Sequence, residues 1–256
     1  MAALTDRYGR AFPYLRLSLL EACNFRCSYC LPDGYRAAQG CASGSALPTV
    51  AAGAGSAGAA AGTGKQRWLT REEIARLLRG FAAVGLRKLR LTGGEPSLRA
   101  DLTSVIADAA GTPGIETVAL TTNGIVLRRR FADWRAAGLT ALNVSLDSLD
   151  RERFRAITGH DRGEEVREGV ELALASDLPT VKLNAVLLRG INDDELPAWL
   201  DYLRTRRLTV RFIELMQTGD NRDYFQRHHL RAEVLEHSKC SWLALGSRRR
   251  CYGRAV

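Results

Sequence analysis

A chain of 256 residues with 46% hydrophobic content can bury one good core, as a single barrel-type domain or as two small ones. No long apolar span or secretory pattern occurs, and the opening "MAALTDRYGR" is too polar and too short for a signal peptide, so a soluble cytoplasmic protein without a membrane partner is expected. The formal charge of +9 predicts an anionic partner but does not name it, and six cysteines (Cys23, Cys27, Cys30, Cys41, Cys240, Cys251) are too few and too clustered for a disulfide framework.

In chain order, "YLRLSLL" (14 to 20) reads as a strand. A long interruption follows, and then a helix opened by Thr70 with Glu73 three residues on, the pattern of a capping box. Next come strand 87 to 92, a helix from about 100 to 110, strand 117 to 122, helix 126 to 137, strand 141 to 147 and a helical stretch ending near Ala175. Strand 181 to 188, helix 194 to 206 and strand 209 to 215 complete the series. Six alternating units predict an α/β fold with a parallel sheet, curled into a barrel or three-quarters of one. The interruption, residues 37 to 65, is almost wholly Ala, Gly, Ser, Thr and Pro, which predicts a flexible surface loop carrying Cys41 as an incidental thiol.

Strands of a parallel barrel should be apolar on both faces, and these are not. Alternation puts Lys88, Arg90 and Thr92 on one face of their strand, with Leu89 and Leu91 on the other. The same count groups Arg16 with Ser18, Asn143 with Ser145 and Asp147, and Lys182 with Asn184, while Arg211 opens the last strand. Unpaired cations inside a barrel are costly, so an anion in the lumen is the economical expectation, and a polyphosphate fits the charge. "GGEP" (93 to 96), "TTNG" (121 to 124), Ser145 and Met216 fall at or near strand ends, where barrel active sites assemble, so one shared mouth is expected. Paired glycines allow close approach of a ligand, and Glu95 offers a carboxylate for an amino group.

"CNFRCSYC" (23 to 30) supplies three thiols, one short of a closed zinc site or of an ordinary iron-sulfur site. The remaining possibility is a four-iron cluster with one iron left open. This CxxxCxxC signature, with Tyr29 before its last cysteine, resembles that of the radical S-adenosylmethionine enzymes. In order along residues 8 to 235, "LRLSLLEACNFRCSYCLPDGY", "RKLRLTGGEPSLR", "LTTNG", "LNVSLDSLD", "ITGHD", "KLNAVLLRGINDDEL" and "RFIELMQTGDN" are similar to the GTP 3',8-cyclase family of molybdenum cofactor biosynthesis.

That resemblance implies a partial (β/α)6 TIM-type barrel over residues 8 to 216, open on the side of a missing C-terminal region. Cys23, Cys27 and Cys30 would hold one [4Fe-4S] cluster whose open iron chelates S-adenosylmethionine. Tyr29, Gly94, Ser145 and Met216, with Gly93 and Glu95 of the glycine-rich element, would contact that cofactor. Arg16, Arg90, Thr121 and Lys182 match GTP positions, with Lys88, Thr92 and Arg211 as additions. A reductant such as flavodoxin and cyclic pyranopterin monophosphate synthase, as the next enzyme, are the implied partners. A homodimer is left open, and nucleic acid is not expected.

The resemblance stops short of the family's C-terminal second cluster. Residues 217 to 256 lack its CxxC, and Cys240 and Cys251 read as incidental. Truncation is therefore expected, and with it a third reading beside a GTP cyclase and a related enzyme acting on peptide or RNA: a remnant that binds a cluster or zinc and serves only as a partner-binding module. His228 and His229 read as polar cover at the start of a surface helix.

Overall fold

Six short runs in which apolar residues alternate with polar ones become six parallel strands, paired strictly in the order of the sequence. In the computed structural model, which describes residues 4–35, 68–218 and 221–230, these are β1 (Tyr14–Ser18), β2 (Lys88–Thr92), β3 (Thr117–Thr122), β4 (Ala141–Ser145), β5 (Thr180–Leu187) and β6 (Thr209–Glu214). The low-complexity stretch 37–65 with Cys41, and the later Cys240 and Cys251, lie outside the described residues. Between the strands run α1 (Arg71–Ala83), α2 (Leu102–Ala110), α3 (Leu127–Ala136), α4 (Arg151–Thr158), α5 (Gly163–Ala175) and α6 (Leu196–Arg204). A last helix, α7 (Arg222–His228), follows β6. Among the described residues β1 and β6 are both edges, so the sheet is a partial (β/α)6 barrel that does not close.

One face of each inner strand packs against the helices. Leu89, Leu91, Leu120, Leu142 and Leu183 are fully buried there with Leu78, Ile106, Leu127, Trp134 and Trp199. Each such side chain contributes about 2 kcal/mol through apolar area removed from water. The capping box is present as expected: Glu73 N–H donates to Thr70 Oγ1 at 3.2 Å, and Thr70 N–H donates to Glu73 Oε2 at 2.8 Å.

Three expectations need correction. The strands read over 14–20, 141–147 and 209–215 end at Ser18, Ser145 and Glu214, because the apolar residues beyond them belong to loops that turn over the sheet end. The helical stretch ending near Ala175 is two helices, since Gly159 takes a left-handed conformation (φ 74°) that ends α4. His228 is the last residue of α7 and His229 its C-cap, not a helix start. Their rings are engaged, His228 Nδ1 with Arg189 O at 3.0 Å and His229 Nε2 with Glu214 Oε1 at 2.5 Å. No helix among the described residues is long and apolar enough to cross a membrane.

Candidate functional site

The cysteine loop leaves the end of β1 and is fastened to α4. Arg26 N–H donates to Thr158 O at 3.0 Å and Ser28 N–H to Ile157 O at 2.8 Å, which satisfies carbonyls that a helix end leaves free. Phe25 is buried below the loop, edge-on to Phe154 and stacked on His160 at 5.1 Å. A turn closes the second half, with Cys30 N–H and Leu31 N–H both donating to Cys27 O at 2.9 Å. "ITGHD" is thus the seat of this loop.

The thiols of Cys23, Cys27 and Cys30 are all free. Burial pushes each of them up. The charge of Glu95 and then Cys30 adds to this at Cys23, that of Asp147, Cys23 and Cys30 at Cys27, and that of Asp147 at Cys30. Among the described residues no three His, Cys, Asp or Glu side chains converge on a point that would hold a single ion. A zinc ion needs that convergence, whereas each cysteine of a four-iron cubane ligates its own corner. Three free thiols on one loop, with the charge of Cys30 felt at Cys23 and Cys27, fit the three protein-held corners of a cubane, whose irons would supply positive charge that favours thiolates.

The GGEP loop lies against the first part of the cysteine loop. Gly94 N–H donates to Leu20 O at 2.7 Å and Glu95 N–H to Ala22 O at 2.8 Å. A Cβ on Gly94 would overlap the carbonyl oxygens of Glu21 and Ala22, and one on Gly93 (φ 151°) would sit 2.5 Å from Leu20 O. What the glycines admit is thus the chain's own backbone, not only a ligand. Glu95 is held by several partners. It is 1% exposed, and its carboxylate accepts from Ser97 N–H (3.0 Å), Thr122 Oγ1 (2.7 Å) and Asn123 N–H (2.7 Å). Burial raises its pKa. It is a strut between the ends of β2 and β3, and its charge is felt at the Cys23 thiol. Asn123 Nδ2 extends the strut to Asn24 Oδ1 at 2.7 Å.

Around the same rim stand Tyr29, whose hydroxyl donates to Asp147 Oδ2 at 2.9 Å, Ser145 at the end of β4, and Met216, 75% exposed just past β6. The cations lie lower. Arg16, Arg90, Lys182 and Arg211 are each the third residue of their strand, and Lys88 is the first of β2. At ~3.3 Å per residue, Arg90 sits about 10 Å below the GGEP loop. The single mouth expected from sequence is therefore two tiers.

In the lower tier Arg16 pairs in register with Arg90, Thr121 with Asn143, Asn143 with Lys182, and Asn184 with Arg211. Thr92, beside Ser18 in register, faces the same space. Arg90 is pulled down by burial and by the charges of Arg211 and Arg16, offset in part by Tyr14; Lys182 is pulled down by burial, then by Arg211, Lys88 and Arg90. Among the described residues none of the five cations has an ion-pair partner. Lys88 and Arg90 lie over the Tyr14 ring at 5.8 and 5.7 Å, and the favoured amide orientation of Asn143 turns its Oδ1 to the Arg90 guanidinium. Arg90 Nε and Asn184 Oδ1 are buried without partners. Arg16 and Arg211, on the edge strands, are exposed, so the cost of this charge is smaller than full burial would impose. Burial first, and then mutual repulsion, disfavours the charged forms of Arg90 and Lys182, and an anion in the same space would relieve both costs.

Sequence reasoning passed over Asp147 as a site residue and missed Asn192 and Asn221. Asn221 Nδ2 donates to Tyr29 O and Met216 O, and Asn192 Nδ2 to Asp147 O and Val186 O. Both asparagines sit in motifs, "NDDEL" and "TGDN", whose polar density was the available signal.

Residues 17–203 match the model of the Radical SAM superfamily. A protein of Stenotrophomonas maltophilia (strain K279a) named GTP 3',8-cyclase is 61% identical across 92% of this chain, which spans 64% of that relative's length. Another of that name, from Edwardsiella ictaluri (strain 93-146), is 43% identical across 100% of this chain and 70% of its own. Among solved structures, a radical SAM methyltransferase from Sphaerobacter thermophilus superposes with a TM-score of 0.61 at 16% identity, over 90% of this chain and 64% of that one.

Proposed function

Because this chain belongs to the Radical SAM superfamily, and within it to the family of its GTP 3',8-cyclase relatives, we propose that it converts GTP to (8S)-3',8-cyclo-7,8-dihydroguanosine 5'-triphosphate. The observation that carries the choice of substrate is the lower tier: five cations facing one space, without acidic partners among the described residues, directly below the cysteine loop.

On this reading Cys23, Cys27 and Cys30 hold a [4Fe-4S] cluster, and Tyr29, Gly93, Gly94, Glu95, Ser145 and Met216 border S-adenosylmethionine. When bound, this pair supplies one-electron reductive cleavage and the hydrogen-abstracting group that the cyclisation requires. The chain's own residues bind and orient. Arg16, Lys88, Arg90, Lys182 and Arg211, with Thr92 and Thr121, take the triphosphate; the arginines offer paired donors and the lysines point charges. Anchoring the phosphates in the lower tier leaves the nucleoside to extend toward the rim, where a fixed approach converts a bimolecular step into an effectively unimolecular one. A cytoplasmic setting, a reductant such as flavodoxin, cyclic pyranopterin monophosphate synthase as consumer of the product and a homodimer belong to the same reading, supported by the shared family.

The test is anaerobic reconstitution followed by turnover with dithionite, S-adenosylmethionine and either GTP, ATP or guanosine, with products read by mass spectrometry. GTP should raise 5'-deoxyadenosine formation and yield the cyclised nucleotide. Equal stimulation by guanosine, or none by GTP with the cluster intact, refutes the assignment.

A further inference from the structure

Tyr29 is gripped at both ends by residues far along the chain. Its hydroxyl donates to Asp147 Oδ2 at 2.9 Å, and Asp147 Oδ1 accepts from Val186 N–H at 2.8 Å. Its carbonyl accepts from Asn221 Nδ2 at 3.2 Å. The same Nδ2 donates to Met216 O at 3.1 Å, while Asn221 Oδ1 accepts from Thr218 N–H at 2.7 Å. Asp147 is held in turn by Asn192, whose Nδ2 donates to Asp147 O (2.6 Å) and Val186 O (2.9 Å) and whose Oδ1 accepts from Leu188 N–H (2.8 Å).

Asp147 is 3% exposed, and Asn221 and Asn192 are buried with it. Among the described residues Asp147 has no cationic partner. A carboxylate buried without a cation is costly, and an amide could accept the Val186 N–H equally well. What an amide would do poorly is offer the Tyr29 hydroxyl a second acceptor oxygen. The carboxylate thus has a use that Asn lacks, and that use is Tyr29.

We propose that Asp147 and Asn221 are positioning residues for S-adenosylmethionine, acting through the two ends of Tyr29. Together they set the Cys30 end of the cysteine loop and the backbone of Met216 against Ser145, which stands on the same strand end as Asp147. The inference rests on the cofactor reading above. Its reach is the shape of the rim: neither residue hydrogen-bonds a cysteine thiol in the network described, and although the charge of Asp147 is felt at Cys27 and Cys30, Tyr29→Phe and Asn221→Ala leave that charge in place.

The experiment compares the parent chain with Asp147→Asn, Tyr29→Phe, the double variant and Asn221→Ala after anaerobic reconstitution. Three quantities are read: iron per chain, the S-adenosylmethionine titration of the reduced cluster's EPR spectrum, and the melting temperature of the unloaded chain. Each single variant should keep its iron and weaken S-adenosylmethionine about tenfold, the low end for residues that orient a metal site from behind. The double variant should be no worse than the weaker single one, because both changes break one hydrogen bond. Additive losses, or an unchanged titration in all variants, overturn the proposal. So does a loss of iron that tracks a lowered melting temperature, which marks the residues as structural only. If Asp147→Asn fails to fold, Tyr29→Phe and Asn221→Ala decide by the same criteria. A parent chain whose spectrum ignores S-adenosylmethionine overturns the cofactor reading and this inference with it; a responsive parent whose variants all titrate as it does overturns the inference alone.

Discussion

Lys182 is a lysine crowded by its own kind. Burial first, and then Arg211, Lys88 and Arg90, hold its pKa below the ordinary 10.5. A bound triphosphate reverses the crowding, so GTP affinity should fall as pH rises through that lowered pKa, earlier than an isolated lysine would allow. The sign for the unliganded fold is opposite. The charged form is the costly one, so between the folded and unfolded pKa values stability rises with pH. Calorimetric GTP titrations from neutral to alkaline pH check the first statement, and Lys182→Arg should flatten the profile because its charge persists. Lys182→Ala and Arg90→Ala should each weaken GTP by about 1.5–3 kcal/mol, the range for hydrogen bonds to charged groups, and leave guanosine unchanged. Equal losses for both ligands would remove the phosphate role.

At the scale of elements, the GGEP loop and the first turn of α1 make a useful contrast. Gly94→Ala must push apart the loop backbones at Glu21 and Ala22, and should cost about 2–4 kcal/mol, as overpacking against fixed backbone does, together with most of the iron uptake. Thr70→Ala removes a cap whose partner lies within its own helix, and should cost about 1 kcal/mol and leave iron uptake intact. Chemical denaturation and iron analysis of both variants check this. The cap was legible in the sequence because its two partners lie three residues apart, and the strands were legible because their alternation is local. The role of Glu95 was not, since only Ser97 among its partners is local and the other two come from β3 and from the turn after it. The break at Gly159 had a local signal that was passed over: the glycine itself and the polar run from it to Glu165 interrupt the apolar spacing between Ile157 and Val166. The grouping of the cations on one face of their strands was legible from alternation, which reports a face and says nothing of height.

For the molecule as a whole, partial closure leaves the outer members of the cation tier in water, so they are open to screening. Raising salt from about 0.1 to 1 M shortens the Debye length from about 10 to 3 Å, and GTP binding should weaken more than tenfold while guanosine binding stays level. Every ladder of the sheet joins strands that are neighbours in sequence, so strands can pair in the order in which they leave the ribosome. The cysteine loop cannot follow that rule. Its first part is met by the GGEP loop and Asn123, but the fastenings of its second part are Asp147, Thr158 and Asn221, so the Cys30 end, synthesised among the first, is among the last to be secured. A metal-delivery factor meeting a half-made chain would find three thiols on an untethered loop, and durable loading has to wait for the far end of the barrel. Nascent chains stalled before residue 221 should accordingly lose Cys30 to iodoacetamide much faster than the released protein does.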